Sequence, residues 1–450
     1  MSTALSRLDF PSDFIFGSGT SASQVEGATL EDGKTSTAFE AFLSRMSGND
    51  LTKGIEGYKK YKEDVQLMVE TGLDAYRFSI SWSRLIPEGK GPVNPKGLEY
   101  YNNLINELVK NGIQPHVTLL HFDVPDSLMA AYNGLKGHQF VEDFIAYAEV
   151  CFKEFGDRVL YWTTFNEANN FATLRLDEGS FSPSSEPYIR AHNIILAHAS
   201  AVKLYREKYK ETQHGFVGLN LYASWYFPEN DDERHSIATK RAIDFTIGWI
   251  MDPLIHGKYP DSLKKQIGTR LPSFTEDESK IVKDSYDFIG LNCYVGTSVE
   301  DNPSSSDSEV KTLLTDLAAK LSPKGELGGA YMKGLLEYFK RDYGNPPIYI
   351  QENGYWTPRD LGLNDASRIK YHTASIASML NAMRGGSNVK GYFQWSFLDL
   401  LEVFKYSYGL YHVDLEDPDR KRKPKLSAIW YKEFLKGHAH SNGITQVETP

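Results

Sequence analysis

Two glutamates in this chain stand where packing alone does not explain an acid. Residues 161–167, Tyr161-Trp162-Thr163-Thr164-Phe165-Asn166-Glu167, run largely apolar and end in an amide and a carboxylate. Residues 348–354, Ile348-Tyr349-Ile350-Gln351-Glu352-Asn353-Gly354, do the same. A buried strand has no use for an acid at its tip, whereas the catalytic groups of a parallel α/β barrel come from the C-terminal rim of its strands. Two carboxyls brought to one rim from distant parts of a chain suit acid–base or nucleophilic chemistry, including the cleavage of a glycosidic bond. A structural ion pair with a nearby arginine accounts for one such glutamate as readily. It accounts for two, each beside an asparagine, much less well.

Other polar residues fall at similar positions. His121 and Asp123 end one apolar run, Asn292 and Tyr294 another, and Trp395 a third, with Glu402 in the segment that follows; Gln24 follows the first run, and Arg77 lies within the second. Singly, each is an ordinary satisfied core or rim group. Together they describe a bowl that reads hydroxyls through amides and acids, with an indole wall for the apolar face of a ring. Arg77, pointing inward, would hold a carboxylate ionised.

The elements that must carry these groups alternate. Apolar runs at residues 14–19, 75–80, 115–120, 161–166, 216–222, 288–294, 348–352 and 391–396 are strand candidates, and residues 58–71, 95–111, 139–155, 188–209, 237–257 and 366–384 carry helical patterns. Most of the runs are continuous rather than alternating, as expected of strands covered by helices on one side and filled by side chains on the other. The arithmetic is that of an α/β fold, a single (β/α)8 TIM barrel, spanning the 450 residues as one domain. The Ser-rich stretch at 301–308 reads as a mobile surface loop bordering the mouth.

Composition narrows the function. A formal charge of −10 disfavours nucleic acid as a partner. No run of about 18 apolar residues is present, so no membrane partner is expected. No His/Asp/Glu cluster has metal-ligand spacing and no dinucleotide-binding glycine motif occurs, so neither metal nor cofactor is expected. Hydrophobic residues make up 41% and aromatic residues 13%, enough for a large core and for stacking surface in a site. A homo-oligomer stays open. Cys151 and Cys293 both lie in apolar patterns and read as small core residues. With no apolar signal core at the N-terminus, the expectation is a cytoplasmic chain, or a vacuolar or secreted one if a leader has been removed. The basic run Arg420-Lys421-Arg422-Lys423-Pro424-Lys425 could address the nucleus; beside the acidic residues 414–419 it reads better as a solvated loop.

At these residues the chain resembles glycoside hydrolase family 1, and within it the plant β-glucosidases, nearly end to end. The resemblance rests on Gln24-Val25-Glu26-Gly27, on residues 76–84 (Tyr-Arg-Phe-Ser-Ile-Ser-Trp-Ser-Arg), on Thr164-Phe165-Asn166-Glu167, on Glu352-Asn353-Gly354 and on Trp395-Ser396. It extends to a plant subgroup that includes acyl-glucose-dependent glucosyltransferases. It implies Glu167 as general acid/base and Glu352 as nucleophile, with their carboxyls about 5–5.5 Å apart. It implies Asn166 at the sugar 2-hydroxyl, Arg77 and Tyr294 holding Glu352, and Gln24, His121, Trp395 and Glu402 binding the non-reducing sugar.

The family pattern is altered at Ser23, Phe39-Glu40, Phe122 and Val403, and the segments at 180–185 and 404–408 are shorter than usual. These changes predict a wider mouth, slow hydrolysis of simple glucosides, and either a preference for a bulky apolar aglycone or a non-glycosidic role. Three functions therefore stand: a retaining β-glucosidase acting on a small-molecule glycoside, a transglucosidase that passes glucose to an acceptor alcohol, and a repurposed barrel that binds or transforms a small molecule.

Overall fold

The computed structural model describes residues 5–48, 51–174, 186–307, 311–324, 329, 331–402 and 406–438. Eight parallel strands close into a barrel: β1 (Ile15–Gly19), β2 (Ala75–Ser79), β3 (Gln114–Leu120), β4 (Tyr161–Phe165), β5 (Phe216–Tyr222), β6 (Phe288–Asn292), β7 (Ile348–Asn353) and β8 (Val389–Trp395). Each pairs with its neighbours in sequence, and β8 closes on β1 from Ile15↔Gly391 to Gly19↔Trp395. Helices follow the strands: α1 (Gly57–Thr71), α2 (Pro95–Lys110), α3 (Gln139–Phe155), α4 (Glu186–Lys208), α5 (Trp249–His256), α6 (Tyr331–Asp342), α7 (Ala366–Arg384) and α8 (Leu426–Leu435). The (β/α)8 expectation is met, with strand limits differing by no more than two residues from those read in the sequence.

Local chemistry sets the helix ends. Asn94 caps α2 by accepting from the Lys96 amide, and Pro95 occupies a first-turn position where its missing N–H costs nothing. The expected continuous helix at 237–257 is instead Glu233–Ile243, a π-helical turn Asp244–Gly248, and α5. Periodicity cannot register such a widened turn. The eight-helix count of the barrel is met, with α6 and α8 at ranges the sequence reading leaves open, and a three-stranded sheet of Trp225–Pro228, Gly296–Asp301 and Ala319–Lys324 is not part of that expectation. The stretch expected as a mobile loop continues that sheet's middle strand, and Pro303–Asp307 forms a 3-10 helix.

Inside the barrel the side chains lie in layers. Ala75, Phe288, Tyr349 and Phe393 make an apolar floor, with Ile15 and Tyr161 packed against it. Gly17 leaves room for it, because a Cβ there would meet the Phe393 ring at 2.6 Å. Above lies an amide layer: Gln351 Nε2 donates to Thr163 Oγ1 at 2.7 Å, and Asn220 Nδ2 donates to Gln351 Oε1 at 2.9 Å. The charged site sits on this layer.

The basic run is not a solvated loop. Arg422–Pro424 pairs with Tyr411–Val413, Arg422 is buried against Asp64 of α1 at 2.7 Å, and Lys425 is buried against Asp399 at 2.6 Å. Of the run, these two cations are unavailable to a partner in the folded chain. Burial lowers the Lys425 ammonium to about 8, against the pull of Asp399. Removing one member of a buried pair strands the other charge. Lys425→Ala is therefore expected to lose about 3–5 kcal/mol of stability. Chemical denaturation would measure it, and a loss under about 1 kcal/mol would show that Asp399 is not truly dry.

Candidate active site

Two consecutive strand residues normally face opposite sides of a sheet. At both tips this alternation is broken. Glu167 takes a left-handed conformation, φ 43° and ψ 58°, so its side chain joins that of Asn166 in the mouth. On β7 the register against β6 shifts between Ile350 and Glu352, and Gln351 and Glu352 both face inward. Bulges and positive φ at a rim re-aim side chains and mark working positions.

A hydrogen-bond network joins the tips. Arg77, fully buried on β2, donates Nη1 to Glu352 Oε1 at 2.6 Å and Nη2 to Asn166 Oδ1 at 2.6 Å. Tyr294 donates its hydroxyl to Glu352 Oε2 at 2.6 Å. Asn292 donates Nδ2 to Glu167 Oε1 at 3.0 Å and to Asn166 Oδ1 at 3.1 Å, and Asn170 donates to Glu167 Oε2 at 2.9 Å. Because Asn166 Oδ1 is an acceptor here, its Nδ2 is the donor toward His121 Nε2 at 3.1 Å, which leaves the ring hydrogen on Nδ1.

The two carboxyls differ electrostatically. Burial, reinforced by the charge of Glu352, pushes Glu167 up to about 7. Burial raises Glu352 too, but Arg77 and Tyr294 oppose the rise, so Glu352 is the member of the pair held as the anion. Burial beside Arg77 keeps His121 neutral, well below the usual imidazole range. One carboxyl that keeps its proton near neutrality and one that does not is the division of labour an acid and a nucleophile require.

Gln24 Nε2 donates to Glu402 Oε2 at 3.0 Å, and Trp395 Nε1 donates to Glu402 Oε1 at 3.2 Å. Burial raises Glu402 to about 7. The His121 and Trp395 rings lie 18° from parallel with centroids 5.8 Å apart. Gln24, His121, Asn166, Glu167, Tyr294, Glu352, Trp395 and Glu402 all line one cavity of about 670 Å³, with Arg77 and Asn292 bonded to them from behind. Of the polar residues read from the sequence, all but Asp123 come to this place; Asp123 is buried and accepts from the His121 backbone amide. Asn170, Tyr222, Trp356 and Tyr408, which also line the cavity, were missed, as was Asn220 beneath. Asn220 had a signal, an amide in the middle of an apolar strand; Asn170 had another, lying three residues past Glu167 on one helix face.

The altered positions are occupied rather than vacant. Ser23 is buried; Phe39 and Phe122 pack edge to face with centroids 5.2 Å apart, and Glu40 is buried against Lys34 at 2.8 Å. Val403, Phe404 and residues 180–185 lie outside the described residues.

A closed barrel with paired carboxyls in a hydroxyl-reading cavity is the architecture of a sugar-cleaving enzyme. The sequence profile of Glycosyl hydrolase family 1 matches residues 6–440, and the chain belongs to that family and is a glycoside hydrolase. It is 82% identical to Glycosyl hydrolase-like protein 1 of Saponaria officinalis, over 99% of each chain. It is 50% identical to the cyanidin 3-O-glucoside 5-O-glucosyltransferase (acyl-glucose) of Dianthus caryophyllus, over 100% of this chain and 92% of that one. Among solved structures, the rice Os3BGlu6 β-glucosidase superimposes with a TM-score of 0.91 at 37% identity, covering 97% of this chain and 100% of that one.

The raised Glu167 carboxyl carries a stability cost with a definite sign. Its folded value of about 7 exceeds the ordinary 4.5, so its favourable contribution is present below pH 4.5 and is lost as pH rises through 7. Glu167→Gln should therefore be more stable than the parent at pH 8, by about 1–3 kcal/mol, and the gain should shrink at pH 5. Thermal melts at the two pH values measure this; a variant less stable at pH 8 would mean that the charge is not penalised.

Proposed function

We propose that this glycoside hydrolase is a retaining β-glucosidase acting on a small-molecule β-glucoside through a covalent glucosyl–enzyme intermediate. The observation that carries the reading is the pairing of Arg77 and Tyr294 on Glu352, with Asn292 and Asn170 bonded to a second buried carboxyl, Glu167, that burial and the Glu352 charge push up to about 7. In the first step a Glu352 oxygen attacks the anomeric carbon as the glycosidic bond breaks. Glu167 gives its proton to the departing oxygen. In the second step Glu167, now a carboxylate, takes a proton from water as that water displaces Glu352, and the anomeric configuration is restored. Gln24, His121, Trp395 and Glu402 hold the glucosyl ring, Asn166 its 2-hydroxyl, while Arg77 and Asn292 fix the side chains that touch it.

Three measurements test this. Proton NMR of the first-formed sugar should show the β-anomer; an α-anomer rules out the double displacement. Glu352→Ala should lose turnover by about 10³-fold or more, and added azide should then yield an α-glucosyl azide. In the parent, kcat/KM should fall as pH rises through about 7, where Glu167 loses its proton, and that limb should vanish in Glu167→Gln.

The same intermediate serves a second reading, supported by the 50% identical relative named as a glucosyltransferase (acyl-glucose). An acceptor alcohol would replace water in the second step. Mass spectrometry with an aryl glucoside and a graded series of alcohols should show glucosylated alcohol in excess of glucose if this reading holds; glucose alone at all alcohol concentrations excludes it.

A further inference from the structure

The cavity is larger than one hexose needs, since about 670 Å³ falls in the range of pockets that take drug-sized ligands. Its lining is mixed. Gln24 and Trp395 both donate to Glu402, while Phe39 meets Phe42 and Phe122 ring to ring and Tyr355 stacks on Trp356; all of these, with Leu43, line the cavity. Among the described residues the charged groups lining it are Glu167, Glu352 and Glu402, with no lysine or arginine.

The phenylalanine face is braced. Phe122 holds φ 70°, a strained conformation for a bulky side chain. The turn is closed by the His121 amide donating to Asp123 Oδ1 at 3.2 Å and the Val124 amide donating to the Phe122 carbonyl at 3.1 Å. Its ring packs on Phe39 and on Phe171, each with centroids 5.2 Å apart. The segment carrying Phe39 is tied to the same turn: Thr37 bridges Pro125, the Asp126 amide donates to the Ser36 carbonyl at 3.2 Å, and the Ser36 hydroxyl donates to Asp126 at 2.5 Å. Strain kept in place by this many contacts presents one particular surface to the cavity.

We propose that Phe122, with Phe39, Phe42 and Leu43, selects a rigid, uncharged, polycyclic apolar aglycone. The proposal rests on the glycosidase reading and names its substrate class. Such an aglycone buries its faces against rings already in position, and gains in proportion to the area covered. An anionic aglycone would be desolvated beside the Glu352 carboxylate and the acidic groups of Glu167 and Glu402, with no lysine or arginine among the described lining residues to pair with it.

The test uses three glucosides with matched leaving groups: benzyl β-glucoside, pyrenylmethyl β-glucoside, and the latter carrying a sulfonate. The parent should process the pyrenylmethyl compound with kcat/KM at least about tenfold above the benzyl one, and sulfonation should remove that advantage. Phe42→Ala, which truncates a half-buried ring without touching the strained turn, and Phe122→Leu should each lower the pyrenylmethyl-to-benzyl ratio by about fivefold or more, with cooperative melting retained. Equal kcat/KM for the two neutral compounds, or ratios unmoved in both variants, overturns the proposal and leaves the glycosidase reading intact. If no glucoside is cleaved, the glycosidase reading fails, and fluorescence titration with pyrenylmethanol decides the proposal by itself. Affinity weakened in the two variants supports it; affinity unchanged overturns it.

Discussion

A guanidinium with no access to solvent holds the centre of this molecule together. Arg77 sits on β2 at the top of a closed barrel and spends its two terminal nitrogens on Glu352 and Asn166. A buried cation alone would be costly, and so would a buried carboxylate; each is tolerated because the other lies at 2.6 Å. The consequences run outward from that contact. Asn166, with its oxygen committed to Arg77, turns its nitrogen toward His121. Asn292, bonded to both Asn166 and Glu167, relays the position of one strand tip to another. The anion kept at Glu352 helps keep Glu167 protonated. Two chemically identical side chains thereby acquire different states from their neighbours alone.

That difference depends on backbone irregularity as much as on charge. Regular strands would send one residue of each Asn-Glu or Gln-Glu pair away from the mouth. The left-handed Glu167 and the shifted register near Glu352 put two polar side chains where a regular strand offers one. The fold accepts that irregularity because the apolar floor and the amide layer below are continuous.

Much of this was legible in the sequence, and the reasons are specific. Barrel strands are read well because both faces are covered, so β6 appears as an unbroken apolar run up to Asn292. The candidate site is legible because acids and amides at the ends of such runs have no packing role, which is how Glu167, Glu352 and Asn292 stand out. What was not legible depended on partners far away in the chain. Arg422 and Lys425 look like a solvated basic run until Asp64 and Asp399 meet them. The strand Trp225–Pro228 becomes a strand only through Gly296–Asp301. The turn at Asp244–Gly248 leaves the helical periodicity nearly intact, and Trp356 at the mouth is an exposed aromatic like any other.

The tie between the segments after β1 and β3 has an evolutionary side. Phe39 and Phe122 meet ring to ring, and the backbones behind them share a bridge, so neither residue can change shape without disturbing its partner. Selection on what the mouth admits therefore acts on the two segments as one heritable unit, and their substitutions should accumulate in matched pairs across descendants of this chain. The strand tips at Glu167 and Glu352 lie outside that unit. A lineage can remodel the mouth repeatedly while the chemistry beneath it is inherited unchanged.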